Sequence, residues 1–185
     1  MSAPLHDRPR LRPLAFVAPS GTGKTTLLEA TVALLVARGL SIAVLKASHH
    51  DHDLDSEGKD SWRMQRAGAD FVGLCGPSRT TFFVKSGREA WPPVAEVAAW
   101  LALAPFVRYD LVLCEGFSSD ASAAKLRVVR GAWPEEVAAP EDLVAVAWDG
   151  FPGSAAATAL PAGVAKLALD AASVATWIEA EWLRP

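Results

Sequence analysis

The sequence LAFVAPSGTGKTTLL at residues 14–28 joins an apolar run to a glycine-rich loop and then to residues with helical spacing. Leu14 to Ala18 is typical of a short buried strand, and the leucines after Thr26 begin a repeat of three to four positions. Strand, glycine loop and helix are the surroundings that the phosphate-binding motif G-x-x-x-x-G-K-[ST] requires. Ala18 replaces the first glycine of the motif with the next smallest residue. The sequence therefore predicts a phosphate-binding loop.

The residue types in this loop suit a nucleoside triphosphate. Gly21 and Gly23 let successive backbone N–H groups curl around a polyphosphate, where a Cβ would clash or require a positive φ. Lys24 brings a positive charge to the β- and γ-phosphates, and the Thr25 hydroxyl binds Mg²⁺. The helix that follows directs the positive end of its dipole at the anion. The predicted nucleotide-binding residues are Ser20, Gly21, Thr22, Gly23, Lys24, Thr25 and Thr26.

Composition predicts one compact domain without a nucleic-acid or membrane partner. The chain has 185 residues, of which 51% are hydrophobic and 21% charged, and a net charge of −3 provides no general basic field. Residues 1–13 are rich in proline and charge and predict a flexible tail, and residues 14–185 predict a single nucleotide-binding domain. No stretch is long and apolar enough for a signal-peptide core or a membrane span, so a cytoplasmic location is expected. Two cysteines, Cys75 and Cys114, are predicted to be buried thiols in a reducing compartment, with a disulfide or a metal role as the alternative.

The order of elements predicts an α/β fold. Strands are predicted at 14–18, 41–46, 71–75, 111–114, 125–130 and 143–148, and helices after residue 24, at 60–67, from 92 and at 171–182. A hairpin is predicted between 80–84 and 89–91. Alternating strands and helices indicate a P-loop, three-layer α/β/α domain with a mostly parallel sheet, right-handed crossovers and a β-hairpin extension.

Glu115 is the second candidate for phosphate chemistry. It follows an apolar strand, and ligands of open parallel sheets lie beyond the carboxyl ends of the strands. A carboxylate there faces the phosphate loop and holds Mg²⁺ directly or through water, whereas the alternative is a solvated acid at a strand end. Gly116 permits a sharp turn after it. Lys24 and Glu115 are therefore the predicted catalytic residues, and Thr25 and Glu115 the predicted Mg²⁺ ligands.

A polar loop with three histidines follows the second strand, at residues 48–59. Alternate residues of an extended segment face opposite ways, so these side chains cannot all bind one ion. A loop that contacts phosphate, Mg²⁺ or a substrate anion is favoured over a transition-metal site or a solvated loop. For the charged residues nearby, simple surface exposure is the alternative. The candidates for a substrate or anion site are Lys46, His50, Asp55, Lys59, Asp60, Arg79 and Lys125.

The base of the nucleotide is not determined by these residues. Guanine is commonly bound by an Asn-Lys-x-Asp segment, which this sequence lacks. Asp149 follows the strand at 143–148. Its position suits a carboxylate that accepts hydrogen bonds from the N–H groups at guanine N1 and N2. A plain turn at Asp149-Gly150 is an equal alternative.

Four separated motifs resemble the molybdopterin-guanine dinucleotide biosynthesis protein B family. They are residues 18–26, VLK at 44–46 with the histidines at 49–50, GKDSWR at 58–63 with AGA at 67–69, and LCEGF at 113–117. The resemblance implies a GTP-binding homodimer with Mg²⁺ and weak GTPase activity, acting beside the guanylyltransferase that attaches GMP to molybdenum cofactor. It places GTP on the loop and assigns Lys46, His50, Asp55, Lys59, Asp60, Glu115 and Lys125 to the neighbouring site. Ala18, Ala47 and Glu57 depart from the family pattern.

The sequence thus favours a GTP-binding accessory protein with mainly an adapter role and slow hydrolysis, with molybdopterin itself as a further candidate ligand. Hydrolysis is expected to be slow because few residues beyond the loop organise an attacking water. Two alternatives remain. One is a P-loop kinase or ligase acting on a small substrate, and the other is a GTP-dependent metal-insertion chaperone that uses the histidine loop.

Overall fold

A computed structural model describes residues 11–48, 55–85, 92–104, 107–132, 142–150 and 160–183. The chain divides into two compact units, one drawn from residues 1–47 and 93–185 and the other from residues 48–92. The strands are β1 (Pro13–Val17), β2 (Ile42–Lys46), β3 (Phe71–Cys75), β4 (Thr80–Val84), β5 (Leu111–Glu115), β6 (Ala124–Val129), β7 (Leu143–Trp148) and β8 (Ala165–Ala168). The helices are α1 (Lys24–Ala37), α2 (Asp60–Arg66), α3 (Val94–Ala102) and α4 (Ala171–Trp177), and a π-helix (Ile178–Trp182) continues α4.

The first unit is built on a six-stranded sheet in the order β2-β5-β1-β6-β7-β8. Every pairing in it is parallel, so all carboxyl ends meet at one edge. All five residues of β1 and of β5 are buried, which is why these central strands are almost wholly apolar. The predicted α/β class with a mostly parallel sheet is confirmed.

Two hydrophobic clusters cover the two faces of this sheet. Alternate residues of β1 divide between them, with Leu14 and Phe16 in one cluster and Ala15 and Val17 in the other. Leucines of α1 and apolar residues of α4 and the π-helix belong to the first cluster. Residues of α3 belong to the second. The first unit therefore has helices on both faces of the sheet, as the three-layer prediction requires.

The second unit contains α2 and an antiparallel pair, β3 and β4, in which Val72 lies opposite Phe83. Residues 71–75 form a strand as predicted, but this strand pairs with β4 and lies outside the parallel sheet. Pairing partners are set by tertiary packing, which the local pattern of the sequence does not contain. The predicted hairpin partner at 89–91 lies outside the described residues.

The two cysteines have different environments. Cys114 is buried in β5, and burial raises the pKa of its thiol to about 12, so the thiol stays neutral. Cys75 is exposed, so the prediction that it is a core residue is wrong. A two-stranded sheet has few neighbours to cover it, and in β3 only Val72 is buried.

The end of the chain differs in detail from the prediction. The predicted helix at 171–182 is divided into α4 and the π-helix. Asp170 caps α4, since its Oδ1 accepts from the backbone N–H of Ser173 at 2.8 Å. Strand β8 was not predicted, because its sequence AKLA lacks β-branched or aromatic residues. Within the described ranges, no helix is long and apolar enough to cross a membrane.

Leu113→Ala tests the importance of the central strands for stability. Leu113 is fully buried in β5, and the substitution is expected to lower the free energy of unfolding by about 2–5 kcal/mol, because it removes apolar contact and leaves a cavity. Leu103→Ala is the matched control, since Leu103 is 54% exposed; its effect should stay below about 0.5 kcal/mol. Urea unfolding measures both, and equal effects would contradict this assignment of the core.

Candidate functional site

The glycine-rich loop follows β1 at the carboxyl edge of the sheet and ends where α1 begins at Lys24. Gly21 has a φ of 79° and Gly23 a φ of 87°, which is the left-handed region that a side chain rarely adopts. Gly23 occupies the N-cap position of α1, and no side chain caps the helix there. The first N–H groups of α1 are therefore positioned for an anion. The hydroxyl of Thr22 donates to the carbonyl of Pro19 at 2.8 Å within the loop.

The strands flanking β1 bring a carboxylate and two cations to this loop. In the strand register Glu115 lies opposite Phe16 of β1 and Lys46 of β2. The Thr25 hydroxyl donates to Glu115 Oε1 at 2.6 Å. Lys24 Nζ lies 3.8 Å from Oε1 and Lys46 Nζ 3.5 Å from Oε2. The predicted pairing of Glu115 with the loop residues is thus present in the geometry, and Lys46 joins them.

Glu115 is held in its ionised form. Burial by itself raises the pKa of this carboxyl, but the hydrogen bond from Thr25 and the charges of Lys46 and Lys24 together outweigh burial, so the pKa of Glu115 lies below its ordinary value. One carboxylate between two ammonium groups leaves the cluster with a net positive charge. Such a site attracts a phosphate chain.

The turn after Glu115 brings the chain close to the end of β2. Gly116 has a φ of 88°, and a Cβ on it would lie 3.0 Å from the Cβ of Ala47. The Ala47 N–H donates to the Glu115 carbonyl at 3.0 Å, and the Gly116 N–H donates to the Phe16 carbonyl at 3.1 Å. These bonds fix the main chain of Glu115 from both neighbouring strands. The sharp turn predicted at Gly116 is confirmed.

The segment that follows, residues 117–123, is tied to helix α3. Asp120 accepts from the backbone N–H of Val94 at 2.7 Å through Oδ2, and from that of Ser122 at 2.8 Å through Oδ1. The Ser122 hydroxyl oxygen accepts from the backbone N–H of Ala95 at 3.1 Å. Two side chains of this segment thus bind the first N–H groups of α3, a role that the sequence analysis missed.

Thr25 and Glu115 fit a magnesium ion by their chemistry. Mg²⁺ prefers hard oxygen ligands, and adjacent ligands of its octahedron lie about 2.9 Å apart at bond lengths of about 2.0–2.1 Å. The hydroxyl and carboxylate oxygens lie 2.6 Å apart, within a few tenths of an ångström of that spacing. Within the described ranges, no group of three or more histidine, cysteine or acidic residues forms a metal site.

Lys125 is fully buried. Its Nζ donates to the carbonyls of Asp120 and of Ala123, the latter at 2.6 Å, and lies 3.0 Å from a carboxylate oxygen of Asp142. These contacts anchor segment 117–123 to the start of β7. All three ammonium hydrogens thus face protein oxygens, and the predicted contact of Lys125 with an anion stays a prediction.

The remaining candidates belong to the second unit. Asp55 accepts from the Ser56 N–H at 2.8 Å and from the Ser61 hydroxyl at 3.0 Å, and these two bonds lower the pKa of its carboxyl. Lys59 occupies the N-cap position of α2. Asp60 Oδ1 lies 3.7 Å from Arg63 Nη1. The Arg79 carbonyl accepts from the Gly76 N–H at 2.9 Å. His50 lies outside the described residues. A shared anion site for these side chains stays a prediction.

Two further residues lie at the carboxyl edge beside the loop. Arg130 follows β6, and its Nε donates to the Thr22 carbonyl at 3.4 Å. It was not predicted as a site residue, although its place at the end of the predicted strand 125–130 was a usable signal. Asp149 follows β7, and its Oδ1 accepts from the Gly131 N–H at 2.8 Å. Contact of Asp149 with a base stays a prediction.

Comparison with known proteins identifies the family. The family described as molybdopterin guanine dinucleotide synthesis protein B matches residues 13–149, well over half of the chain. The chain belongs to this family. The resemblance inferred from the four motifs is therefore confirmed.

Named relatives of this family support the assignment. The molybdopterin-guanine dinucleotide biosynthesis adapter protein of Escherichia coli (strain K12) is 36% identical over 139 residues, which is 74% of this chain and 77% of the relative. The adapter protein of the same name from Haemophilus influenzae is 41% identical over 113 residues, 58% of this chain and 57% of that protein.

Solved structures of the family share the fold. A crystal structure of molybdopterin-guanine biosynthesis protein B superposes with a TM-score of 0.59 at 26% identity, covering 94% of this chain and 99% of that one. A crystal structure of Bacillus subtilis MobB superposes with a TM-score of 0.62 at 22% identity, covering 91% of this chain and 97% of that one. Because its identity to this chain is only 22%, this second structure supports the fold alone.

The pH dependence of stability in Glu115→Gln tests whether the charge of Glu115 stabilises the fold. The pKa of Glu115 in the folded chain is below its ordinary value of 4.5, so the ionised carboxylate stabilises the fold above that pH. Glu115→Gln is expected to lower the free energy of unfolding at pH 7 by about 1–3 kcal/mol. The difference should shrink as pH falls through the folded pKa, because protonated Glu resembles Gln.

Urea unfolding between pH 7 and pH 3 measures this difference. Glu29→Gln on the exposed side of α1 is the control, and should follow the parent chain at every pH. A difference between parent and Glu115→Gln that stays constant through pH 3 would contradict the assignment.

Proposed function

We propose that the chain binds GTP with Mg²⁺ through residues 20–26 and serves as an adapter in the attachment of a guanine nucleotide to molybdopterin. The observation that carries the proposal is the meeting of Lys24, Thr25 and Glu115 at the carboxyl edge of a parallel sheet. This is where phosphates and their metal ion lie in such folds.

The phosphate chain is held by the loop. Left-handed backbone at Gly21 and Gly23 is what a concave row of N–H groups requires, and the uncapped start of α1 continues that row. Lys24 adds a charge to the β- and γ-phosphates. When an anion arrives, it competes with Glu115 for Lys24 and Lys46, which the long separations of 3.8 and 3.5 Å permit.

Thr25 and Glu115 would hold the magnesium ion. The ion supplies charge neutralisation between the β- and γ-phosphates. Glu115, kept ionised by its neighbours, holds a proton weakly and is a poor general base. Slow hydrolysis follows from this, and it suits an adapter whose nucleotide state matters more than its turnover. Lys24 and Glu115 are the residues on which that hydrolysis depends.

The identity of the base and of the partner is supported by the relatives. The Escherichia coli and Haemophilus influenzae proteins are named adapters of molybdopterin-guanine dinucleotide biosynthesis. Identity of 36% over 74% of this chain supports the same role here. The expected partner is the guanylyltransferase that uses GTP, in the cytoplasm, with molybdopterin as a further ligand.

Calorimetric titration of the chain with GTP, ATP and GDP, each with and without Mg²⁺, tests the proposal. We expect GTP with Mg²⁺ to bind most tightly and removal of Mg²⁺ by a chelator to weaken it, because Thr25 and Glu115 then lose their shared ion. Equal affinity for ATP and GTP would overturn the guanine assignment.

Lys24→Ala tests the site within that titration. It is expected to weaken GTP binding by about a hundredfold or more, since charged hydrogen bonds to two phosphates are lost. Circular dichroism should be unchanged. Lys166→Ala, at an exposed position of β8, is the matched control and should bind as the parent does. Undiminished affinity in Lys24→Ala would refute the proposed site.

We also propose that the chain is a homodimer. Strands β3 and β4 form a sheet of two strands, which is marginal alone and has edges suited to pairing. Apolar side chains of the second unit are exposed to solvent, namely Met64, Phe71, Leu74 and Val84. Phe71 and Val84 are paired across the two strands and share one face of the sheet, whereas Leu74 lies on the other face. Exposed apolar side chains of this kind are typical of an interface.

Sedimentation velocity at micromolar concentration checks the oligomeric state. A dimer is expected, and Phe71→Ser is expected to shift it toward monomer because it replaces an exposed apolar side chain on the face that Phe71 shares with Val84 by a polar one. Trp100→Ser, at an exposed position of α3 in the first unit, is the comparison variant and should remain dimeric. A monomeric parent chain would contradict the proposal.

A further inference from the structure

Arg130 lies beside the phosphate loop although it is distant from it in sequence. Strand β6 pairs with β1, with Val17 opposite Arg127, so the residue after β6 leaves the sheet at the edge where the loop begins. The Arg130 Nε donates to the Thr22 carbonyl at 3.4 Å. Its Nη2 lies 3.5 Å from the position that a Cβ on Gly23 would occupy. The guanidinium thus lies against the Thr22–Gly23 peptide, directly before Lys24.

The main chain next to Arg130 is held at the sheet edge by two hydrogen bonds. The N–H of Gly131 donates to Asp149 at 2.8 Å, and its carbonyl accepts from the Trp148 indole N–H at 2.7 Å. Both partners come from the end of β7. The segment carrying Arg130 is therefore fixed at the sheet edge, which limits the conformational entropy lost when the guanidinium meets the loop.

The contact determines which way one loop N–H points. The Thr22 carbonyl and the Gly23 N–H belong to the same planar peptide, and in a trans peptide they point in opposite directions. A carbonyl directed toward Arg130 therefore directs the Gly23 N–H away from it. Gly23 is the N-cap of α1, so this N–H directly precedes the free N–H groups of the first helical turn.

We infer that Arg130 is a positioning residue for nucleotide binding: it holds the Thr22–Gly23 peptide with the N–H of Gly23 toward the phosphate chain. The inference rests on the proposed function of the loop. The guanidinium also polarises the peptide, which strengthens the Gly23 N–H as a donor. Arginine suits the task because its charge is permanent and its donors form a rigid fork.

The test compares the parent chain with Arg130→Ala, Arg130→Lys and the charge-matched control Arg38→Gln. Arg38 is on the surface of the same unit and pairs with Glu179. Titration with GTP and Mg²⁺ is expected to show about tenfold weaker binding for Arg130→Ala. Arg130→Lys should recover part of the loss, to within about threefold of the parent, and Arg38→Gln should match the parent.

The NMR resonance of the Gly23 amide proton distinguishes positioning of this peptide from a general effect on stability. In the parent, GTP is expected to move the Gly23 amide proton downfield as it bonds to phosphate, and this shift should be smaller in Arg130→Ala. Thermal unfolding without nucleotide should be the same for parent and variant. Arg130→Lys, which keeps the charge, provides the comparison if the alanine variant fails to fold.

The possible failures are distinct. Equal GTP affinity and equal Gly23 shifts in parent, Arg130→Ala and Arg130→Lys would overturn the inference while leaving the proposed function intact. A weaker affinity with an unchanged Gly23 shift would also overturn it, since the charge alone would then account for the loss. A parent chain that binds no nucleotide would remove the proposed function and this inference together.

Discussion

The parallel direction of every pairing in the six-stranded sheet is the constraint from which the candidate site follows. Because β1, β2, β5 and β6 all run the same way, their carboxyl ends deliver the glycine loop, Lys46, Glu115 and Arg130 to one edge. An antiparallel neighbour would have placed its last residue at the opposite edge. The apolar central strands enforce this arrangement, since they are buried on both faces.

Charge balance at that edge is the second requirement. The ionised carboxylate of Glu115 lies between the ammonium groups of Lys24 and Lys46. Each of these three charged groups therefore has a partner of opposite charge beside the buried strands. The same carboxylate is a type of ligand that magnesium prefers. It would also compete with a phosphate for Lys24 and Lys46. Binding of a triphosphate would then be an exchange of partners among Lys24, Lys46 and Glu115, with little change in the surrounding fold.

Much of this was readable from local sequence. Strands at 71–75, 80–84 and 143–148 have the predicted bounds, because their β-branched and aromatic residues sit between clear breakers. The place of Glu115 at the carboxyl end of a buried strand, next to the loop, was predicted from the apolar run before it. Sequence did not show that β3 pairs with β4, that Lys125 is buried against Asp142, or that Arg130 reaches Thr22. Each of these depends on residues that are far apart in the chain.

The capping of α3 by Asp120 has a mechanical consequence. The cap belongs to the stretch of chain that begins one residue after Gly116, and α3 packs on the sheet face opposite to α1. A displacement of that stretch would strip two hydrogen bonds from the helix start and strain the buried Lys125 anchor. Asp120 and Ser122 therefore connect the chain that follows Glu115 to the start of a helix on the sheet face opposite to α1.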